Sequence, residues 1–381
     1  MNKKTGKTPG SPRTRGRKGI RRSGPTSQQA APSPEAPSGL KQLPIVGAQI
    51  STAGGFAPVP ERAAALGAEV VQIFSSNPRT WRTRHPEPDE MAALKTGLRR
   101  YRLPLFFHTI YLINLASPDG ELRARSAAAL AHALVTGALA GAAGVVTHVG
   151  SHRGEGFEAS IGLVAEAIRS AETTARETLA AEQTGQSEPA LPPLLLETAV
   201  GAGAIVGRNI GELRALLEAL ALRPPARAVS RDRSTRPAPP SASSLTPGWP
   251  LDLGLCLDTA HLFAAGYPIH EETGLQVLLD ELDRAGLLSR VGLIHLNDSA
   301  SELASNRDRH ANPGDGLIGY EGLARIVRHP ALTRIPFVLE VPGAEGHGPD
   351  ADNVALVKLM RAGLPRPAEA PSRPESPGHG G

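Results

Sequence analysis

Short apolar runs and longer stretches of helical periodicity alternate eight times along the chain, and that repetition limits its fold more than any other feature. The strand-like runs are Pro44–Gln49, Val70–Phe74, Leu105–Phe107, Val145–Thr147, Leu194–Leu196, Leu253–Leu257, Val291–His295 and Phe337–Leu339. Helical patterns lie between and after them, at Val59–Leu66, Met91–Tyr101, Leu122–Ala140, Ala159–Ala181, Ile210–Leu222, Gly274–Ala285, Tyr320–Arg328 and Val354–Arg361. Strands this short, each followed by a helix, are joined by right-handed crossovers and form a parallel sheet. Eight such units suit a closed barrel. An open doubly wound sheet would carry a GxGxxG phosphate turn after its first strand, and only Gly54-Gly55 stands there. The expected fold is α/β, a single (β/α)8 TIM barrel.

Three stretches fall outside the alternation: residues 1–41, 223–250 and 364–381. Much of the chain's 35 Pro and 41 Gly lies in them. Such segments bury too little apolar surface to offset their ordering entropy. The expected organisation is a disordered basic tail over 1–41, a barrel domain over 42–363 carrying a Pro-rich insert at 223–250, and a disordered C-terminal tail. The tail also corrects the net charge of +4: residues 1–41 hold ten Lys/Arg against one acid, Glu35, which leaves the remaining 340 residues at −5. Nine of those cations fall within residues 3–22, suited either to non-specific phosphate contact or simply to solvation. The single Cys256 excludes an intramolecular disulfide framework and, within an apolar run, reads as a small core residue. No run is long enough for a membrane span, and no apolar segment follows the basic start as in a secretory signal. A soluble, cytoplasmic protein is expected, nucleoid-associated if bacterial.

In a barrel of this kind, functional side chains sit just past the strands. Reading past successive runs gives His108, His148, Glu197, Asp258, His295 and Glu340, joined by His261 in DTAH and by Asp308 and His310 in DRH. One such residue alone reads as a cap or a satisfied loop group; Asp258 could be an N-cap and His108 a core histidine. Nine converging on one mouth would repel or desolvate one another without cations between them. Imidazole and carboxylate together suit Zn2+ and related divalent ions. Nine groups can hold three ions if one carboxylate bridges. His152, Asp298 and Asp315 lie close by but are not counted among the ligands; His152 reads as an orienting residue and Asp298 as a loop cap.

With these residues assembled, the chain resembles the endonuclease IV family of apurinic/apyrimidinic (AP) endonucleases, from Val46 to about Gly343. The matching strings are GAQISTAGGF, IFSSNPRTW, FFHTIYLINLASP, VVTHVGSH, CLDTAHLFAAGYP, IHLNDSASELASNRDRHANPGDGLIG and FVLEVPG. The resemblance implies three Zn2+ per chain, with Mn2+ as an alternative occupant of one site. His108, His148 and Glu197 would hold one; Glu197 would bridge to a second, completed by Asp258, His295 and Glu340; and His261, Asp308 and His310 would hold the third. It implies hydrolysis of the phosphodiester 5′ to an abasic site, leaving 3′-hydroxyl and 5′-deoxyribose phosphate. A hydroxide between two zincs is available at neutral pH because the metal lowers water's pKa from 15.7 to about 7, and Glu197 and Glu340 are the catalytic carboxylates expected to position it. The implied partner is double-stranded DNA with abasic sites or 3′-blocked ends, met by a monomer. Arg79, Tyr111 and Leu112 are the implied DNA-penetrating side chains, although Tyr111-Leu112 alone could be ordinary loop packing. Wedging is cheapest where a base is already missing.

Two positions depart from the family pattern. Gln49 stands where the family usually has His, and Thr198 follows Glu197 where Asn is typical, which puts hydrogen bonding around the ligands in doubt. Two other readings remain. A sugar isomerase or epimerase of the xylose-isomerase-like kind would use Glu197, Asp258, His295 and Glu340 with one or two metals. It would not need His108, His148, His261 and the DRH loop together. A DNA-binding protein that had lost catalysis should show eroded ligands, and none of the nine is eroded.

Overall fold

The computed structural model describes residues 43–182, 189–221 and 251–367. Residues 1–41 and the insert at 223–250, with their expected disorder, lie outside the described residues, as does most of the C-terminal stretch from 364.

Eight parallel strands close into a barrel: β1 (Val46–Gln49), β2 (Val71–Phe74), β3 (Leu105–His108), β4 (Gly144–Thr147), β5 (Leu194–Glu197), β6 (Leu253–Asp258), β7 (Val291–His295) and β10 (Phe337–Leu339). They follow one another around the ring in sequence order, and β10 pairs with β1 to complete it. Outside lie α1 (Val59–Ala65), α2 (Pro88–Tyr101), α3 (Gly120–Ala140), α4 (Phe157–Glu182), α5 (Ile210–Ala221), α7 (Glu272–Arg284), α8 (Gly319–Arg328) and α9 (Ala351–Ala362). The expected TIM barrel is therefore the observed fold. Element ends differ from the expected ones by a few residues, because caps and Pro set them. Thus α2 begins at Pro88, where a missing N–H costs nothing, and α3 is capped by Asp119, which accepts from Glu121 and Leu122 N–H.

Three features were absent from the sequence reading. One short helix, α6 (Thr259–Ala264), follows β6 directly. A two-stranded antiparallel piece pairs β8 (Asp298–Ser299) with β9 (His310–Ala311) above the strand ends. Residues 364–367, expected to begin the disordered tail, pack back on the domain: Tyr320 Oη donates to Leu364 O at 2.7 Å, and Arg366 Nη2 pairs with Asp315 at 2.6 Å.

Apolar packing separates into two clusters. The larger lies between helices and the outer barrel wall; the smaller fills the barrel with Val70, Phe106, Val146, Leu195, Cys256, Leu293 and Val338, all buried. Cys256 is thus the core residue expected.

Candidate metal centre

Strand geometry builds the site. Successive side chains alternate across a strand, so the residue two beyond an inward-facing one also faces inward. Stepping two on from the apolar layer inside the barrel gives Gln72, His108, His148, Glu197, Asp258, His295 and Glu340. On β1 the same step leads from Gly47 to Gln49, which pairs in register with Gln72. Each of the eight barrel strands therefore contributes one polar side chain to a ring at the barrel's C-terminal end. Gly47 has no substitute: a Cβ there would stand 1.7 Å from Val70 O.

Glu197 is the ring's centre, with its side chain fully buried. Its Oε2 lies 3.0 Å from His108 Nε2 and 3.3 Å from His148 Nε2, while Oε1 lies 3.0 Å from His295 Nδ1. His295 Nδ1 is also 3.1 Å from Glu340 Oε2 and 3.8 Å from Asp258 Oδ2. Beyond the ring, α6 supplies His261 and β9 supplies His310, whose Nε2 lies 3.6 Å from Asp258 Oδ2. Donor atoms converge in three groups: His108–His148–Glu197, Glu197–Asp258–His295–Glu340, and Asp258–His261–His310. Both Glu197 and Asp258 belong to two groups. Asp308, expected to complete the third, touches it from the solvent side, 3.4 Å from His261 Nε2 and 3.2 Å from His310 Nε2.

Hydrogen bonds on the far side of four of the five imidazole rings fix which nitrogen faces the centre. His108 Nδ1 meets Thr109 O at 2.7 Å, His261 Nδ1 meets Thr198 O at 2.9 Å, and His310 Nδ1 meets Glu340 O at 3.0 Å. His295 does the same through Nε2, which lies 2.9 Å from Gln72 Oε1. Carbonyl oxygens only accept, so these nitrogens carry hydrogen and the opposite ones turn lone pairs toward carboxylates. Such atoms repel unless a proton or a cation lies between them. Two ligands about 2.1 Å from one tetrahedral zinc are about 3.4 Å apart, which matches these spacings. His310 Nε2 is buried with no hydrogen bond, because it and its neighbours face a shared point rather than one another. The donor set fits divalent metal ions.

The electrostatics agree. Burial alone would push the Glu197 carboxyl up, yet His148, His295 and His108 hold it well below the usual carboxylate range. Burial would lower His261, but Asp258 and Asp308 raise it to about 10; the same balance raises His310 to about 9. His148, less surrounded by acid, is lowered by burial. Glu197 and Asp308 are thus kept charged by imidazoles that hold protons.

Further polar residues, of which Asn297 was absent from the sequence reading, support the candidate ligands. Asn297 donates to Asp258 Oδ2 at 2.7 Å and accepts Glu340 N–H at 2.8 Å. Thr198, one of the departures, accepts Asp258 N–H at 2.8 Å through its hydroxyl, so it serves the neighbouring ligands. Asp298 is a loop cap, accepting backbone N–H from Ser299, Gly314, Gly316, Ile318 and Gly319. His152 accepts from Gly154 and Gly156 N–H, bonds within its own loop. Arg79 and Tyr111 are exposed and line one cavity of about 1320 Å3 beside the ring. Tyr111 lies edge-on to Phe74 at 5.1 Å between ring centres. Leu112 is half-buried against the core and does not line that cavity.

A barrel with this ring defines the xylose isomerase-like class, and the profile of that TIM-barrel family matches residues 60–228 and 250–362. Within the class, the chain is 35% identical over 317 residues to a probable endonuclease 4 of Halothermothrix orenii, covering 83% of this chain and 99% of that one. The crystal structure of endonuclease IV from Thermus thermophilus superposes with a TM-score of 0.65 at 34% identity, over 84% of this chain and all of that one. A 3-keto-D-glucoside 4-epimerase from E. coli shares the fold at 13% identity and a TM-score of 0.52, over 83% of this chain and 98% of that one. The chain belongs to the endonuclease IV family.

Proposed function

We propose that this protein is a DNA-repair endonuclease that hydrolyses the phosphodiester 5′ to an abasic site, leaving a 3′-hydroxyl and a 5′-deoxyribose phosphate. The observation that carries this is the sharing of Glu197 and Asp258 among three ligand groups, in a chain that aligns along nearly the whole length of a probable endonuclease 4. The four residues Glu197, Asp258, His295 and Glu340 would serve a sugar isomerase; His108, His148, His261, Asp308 and His310 would have no work there.

His108, His148 and Glu197 would hold one ion, Glu197, Asp258, His295 and Glu340 a second, and Asp258, His261, Asp308 and His310 a third. Zn2+ suits the mixed imidazole and carboxylate set, with Mn2+ as an alternative at one position. Bound there, the ions would supply a nucleophile at neutral pH and neutralise charge on the scissile phosphate. Glu197 is held charged by its imidazoles and draws the first two groups together. Glu340, at the open side of the ring with its Oε1 held by Gln72, would orient the attacking water. Arg79 and Tyr111 border the cavity next to the ring, from which both would penetrate the DNA, with Leu112, half-buried against the core, following Tyr111 as the third penetrating side chain. The substrate is double-stranded DNA with abasic sites or 3′-blocked ends, bound by a monomer in the cytoplasm, at the nucleoid in a bacterial cell. No helix among the described residues is long and apolar enough to cross a membrane.

The test combines metal content with incision of a duplex carrying one abasic analogue, using Glu197→Gln as control. Near three metals per chain, with incision reduced at least 100-fold in the variant, is the expected result; about 3 kcal/mol of transition-state stabilisation corresponds to that factor. One or two metals and no incision by folded wild-type protein would overturn the endonuclease reading in favour of the isomerase.

A further inference from the structure

Two of the eight side chains in the ring belong to none of the three ligand groups: Gln49 on β1 and Gln72 on β2. Gln72 is fully buried, and every polar atom of its amide is used. Its Oε1 accepts from His295 Nε2 at 2.9 Å; its Nε2 donates to Glu340 Oε1 at 2.6 Å and to Gln49 Oε1 at 2.9 Å. Turning the amide over would set N–H against N–H at His295 and oxygen against oxygen at both other partners. One orientation alone satisfies all three contacts.

We propose that Gln72 is a positioning residue for the second ligand group, selecting the nitrogen of His295 and the oxygen of Glu340 that are offered to the metal, with Gln49 as its clamp. The inference rests on the metal reading above. With the His295 proton held at Nε2, Nδ1 turns to the centre, 3.0 Å from Glu197 Oε1 and 3.1 Å from Glu340 Oε2. With Glu340 Oε1 occupied by the amide, Oε2 is the oxygen left for that centre. Gln49 serves through its oxygen alone. Its own Nε2 is buried without a hydrogen-bond partner among the described residues, an exception that a purely structural glutamine would have little reason to keep. A neutral amide also suits the place. At the fully buried position 72 a carboxylate would add another charge to a ring that already holds Glu197, Asp258 and Glu340.

The deciding experiment uses full-length protein and Gln72→Met, which keeps length and bulk but has neither donor nor strong acceptor. Zn2+ retention is followed against a competing chelator, the visible absorption of the Co2+-substituted protein is recorded, and kcat and KM are measured on an abasic-site duplex. Outer partners of metal ligands typically contribute 10–100-fold in metal affinity. Gln72→Met should therefore release one metal of the set 10–100-fold more readily, shift the Co2+ spectrum, and lower kcat with KM little changed. Retention of every metal with wild-type affinity and spectrum would overturn the proposal. Should Gln72→Met fail to fold, Gln49→Leu decides: loosening the clamp should weaken the same metal by a smaller factor, and wild-type retention overturns the proposal. Wild-type protein that binds no metal would instead overturn the metal reading itself, whatever either variant does.

Discussion

Glu197 shows how much one residue can carry. Both oxygens are engaged by imidazoles, and a fully buried carboxylate is tolerable only because cationic partners surround it; an ion taken from water costs several kcal/mol if left alone. In the metal-free chain those partners are protons. His261 at about 10 and His310 at about 9 stand above the usual 6.5, so they bind protons more tightly folded than unfolded. Their contribution to stability is complete below 6.5 and is lost as pH climbs through 9 and then 10. Metal ions must displace those same protons, so affinity should rise with pH over that interval. Zinc added to metal-free protein at pH 7 in weak buffer should release protons; if none appear, His261 and His310 are already neutral and this account fails. Six of the ligand candidates were legible in the sequence because each ends or follows an apolar strand with a group that chemistry uses, and His261, Asp308 and His310 because they lie shortly after two of those six. Gln72 was not, because an amide inside VQIF has no such mark. The step of two from Val70 would have found it. Asn297 offered no comparable signal and Thr198 only its departure from the family pattern, since their partners are 43 and 60 residues away and only the closed barrel brings them together.

The elements divide the work between a rigid ring and loops that bring in the remaining groups. All eight barrel strands were readable, because runs of Val, Leu, Ile and Phe of this length suit a sheet buried on both faces. The β8–β9 pair was not readable, since two-residue strands have no periodicity to detect, yet that pair carries His310. Its anchor is Asp298, whose carboxylate collects five backbone N–H groups, three of them from the loop that follows β9 and one from the first residue of α8. Asp298→Ala should cost about 3 kcal/mol or more, since each stranded buried donor costs about 1–3 kcal/mol. It should weaken the third metal before the first; equal loss of all metals in a calorimetric titration would count against the hairpin's role. At the opposite end of the barrel, Glu69 joins Val46 N–H at 3.0 Å to Arg361 Nη2 at 3.1 Å, tying α9 to β1 where the barrel closes. Burial raises the Glu69 carboxyl, but Arg361 and the Val46 N–H outweigh it and hold it below its usual 4.5. Its contribution is full above 4.5 and disappears as pH falls through the depressed value. Arg361→Met should therefore be less stable than wild type by about 1 kcal/mol at pH 7, the size expected of a partly exposed pair. Denaturant curves should converge as pH drops below 4.5; a gap that persists in acid would assign the effect to packing of the Arg stem instead.

At the scale of the whole molecule, fold and charge pose a contradiction that the metal centre alone does not resolve. The same barrel serves a sugar epimerase at 13% identity, so architecture says little about substrate, and the site must do so. Residues 42–381 carry a net −5, which opposes approach to a polyanion. Three bound divalent ions would bring that sum, which counts every His as neutral, to about +1. A body so nearly neutral has little long-range attraction for DNA. Residues 1–41, with a net +9, are the chain's largest excess of positive charge, suited to sequence-independent phosphate contact or to solvation, and salt dependence separates the two. Counterion release makes the consequence measurable, since each phosphate neutralised on duplex DNA adds about −0.9 to the slope of log K against log salt. Removal of residues 1–41 should therefore flatten that slope by several units and weaken binding at low salt. At saturating substrate, kcat should stay unchanged, because the ring lies wholly within the residues retained. An unaltered slope would show that the tail makes no phosphate contact and would shift the electrostatic burden to arginines around the mouth, Arg79 and Arg82 beside the cavity and Arg307 and Arg309 flanking Asp308. Charge reversal at those positions would then be the variants that move the slope.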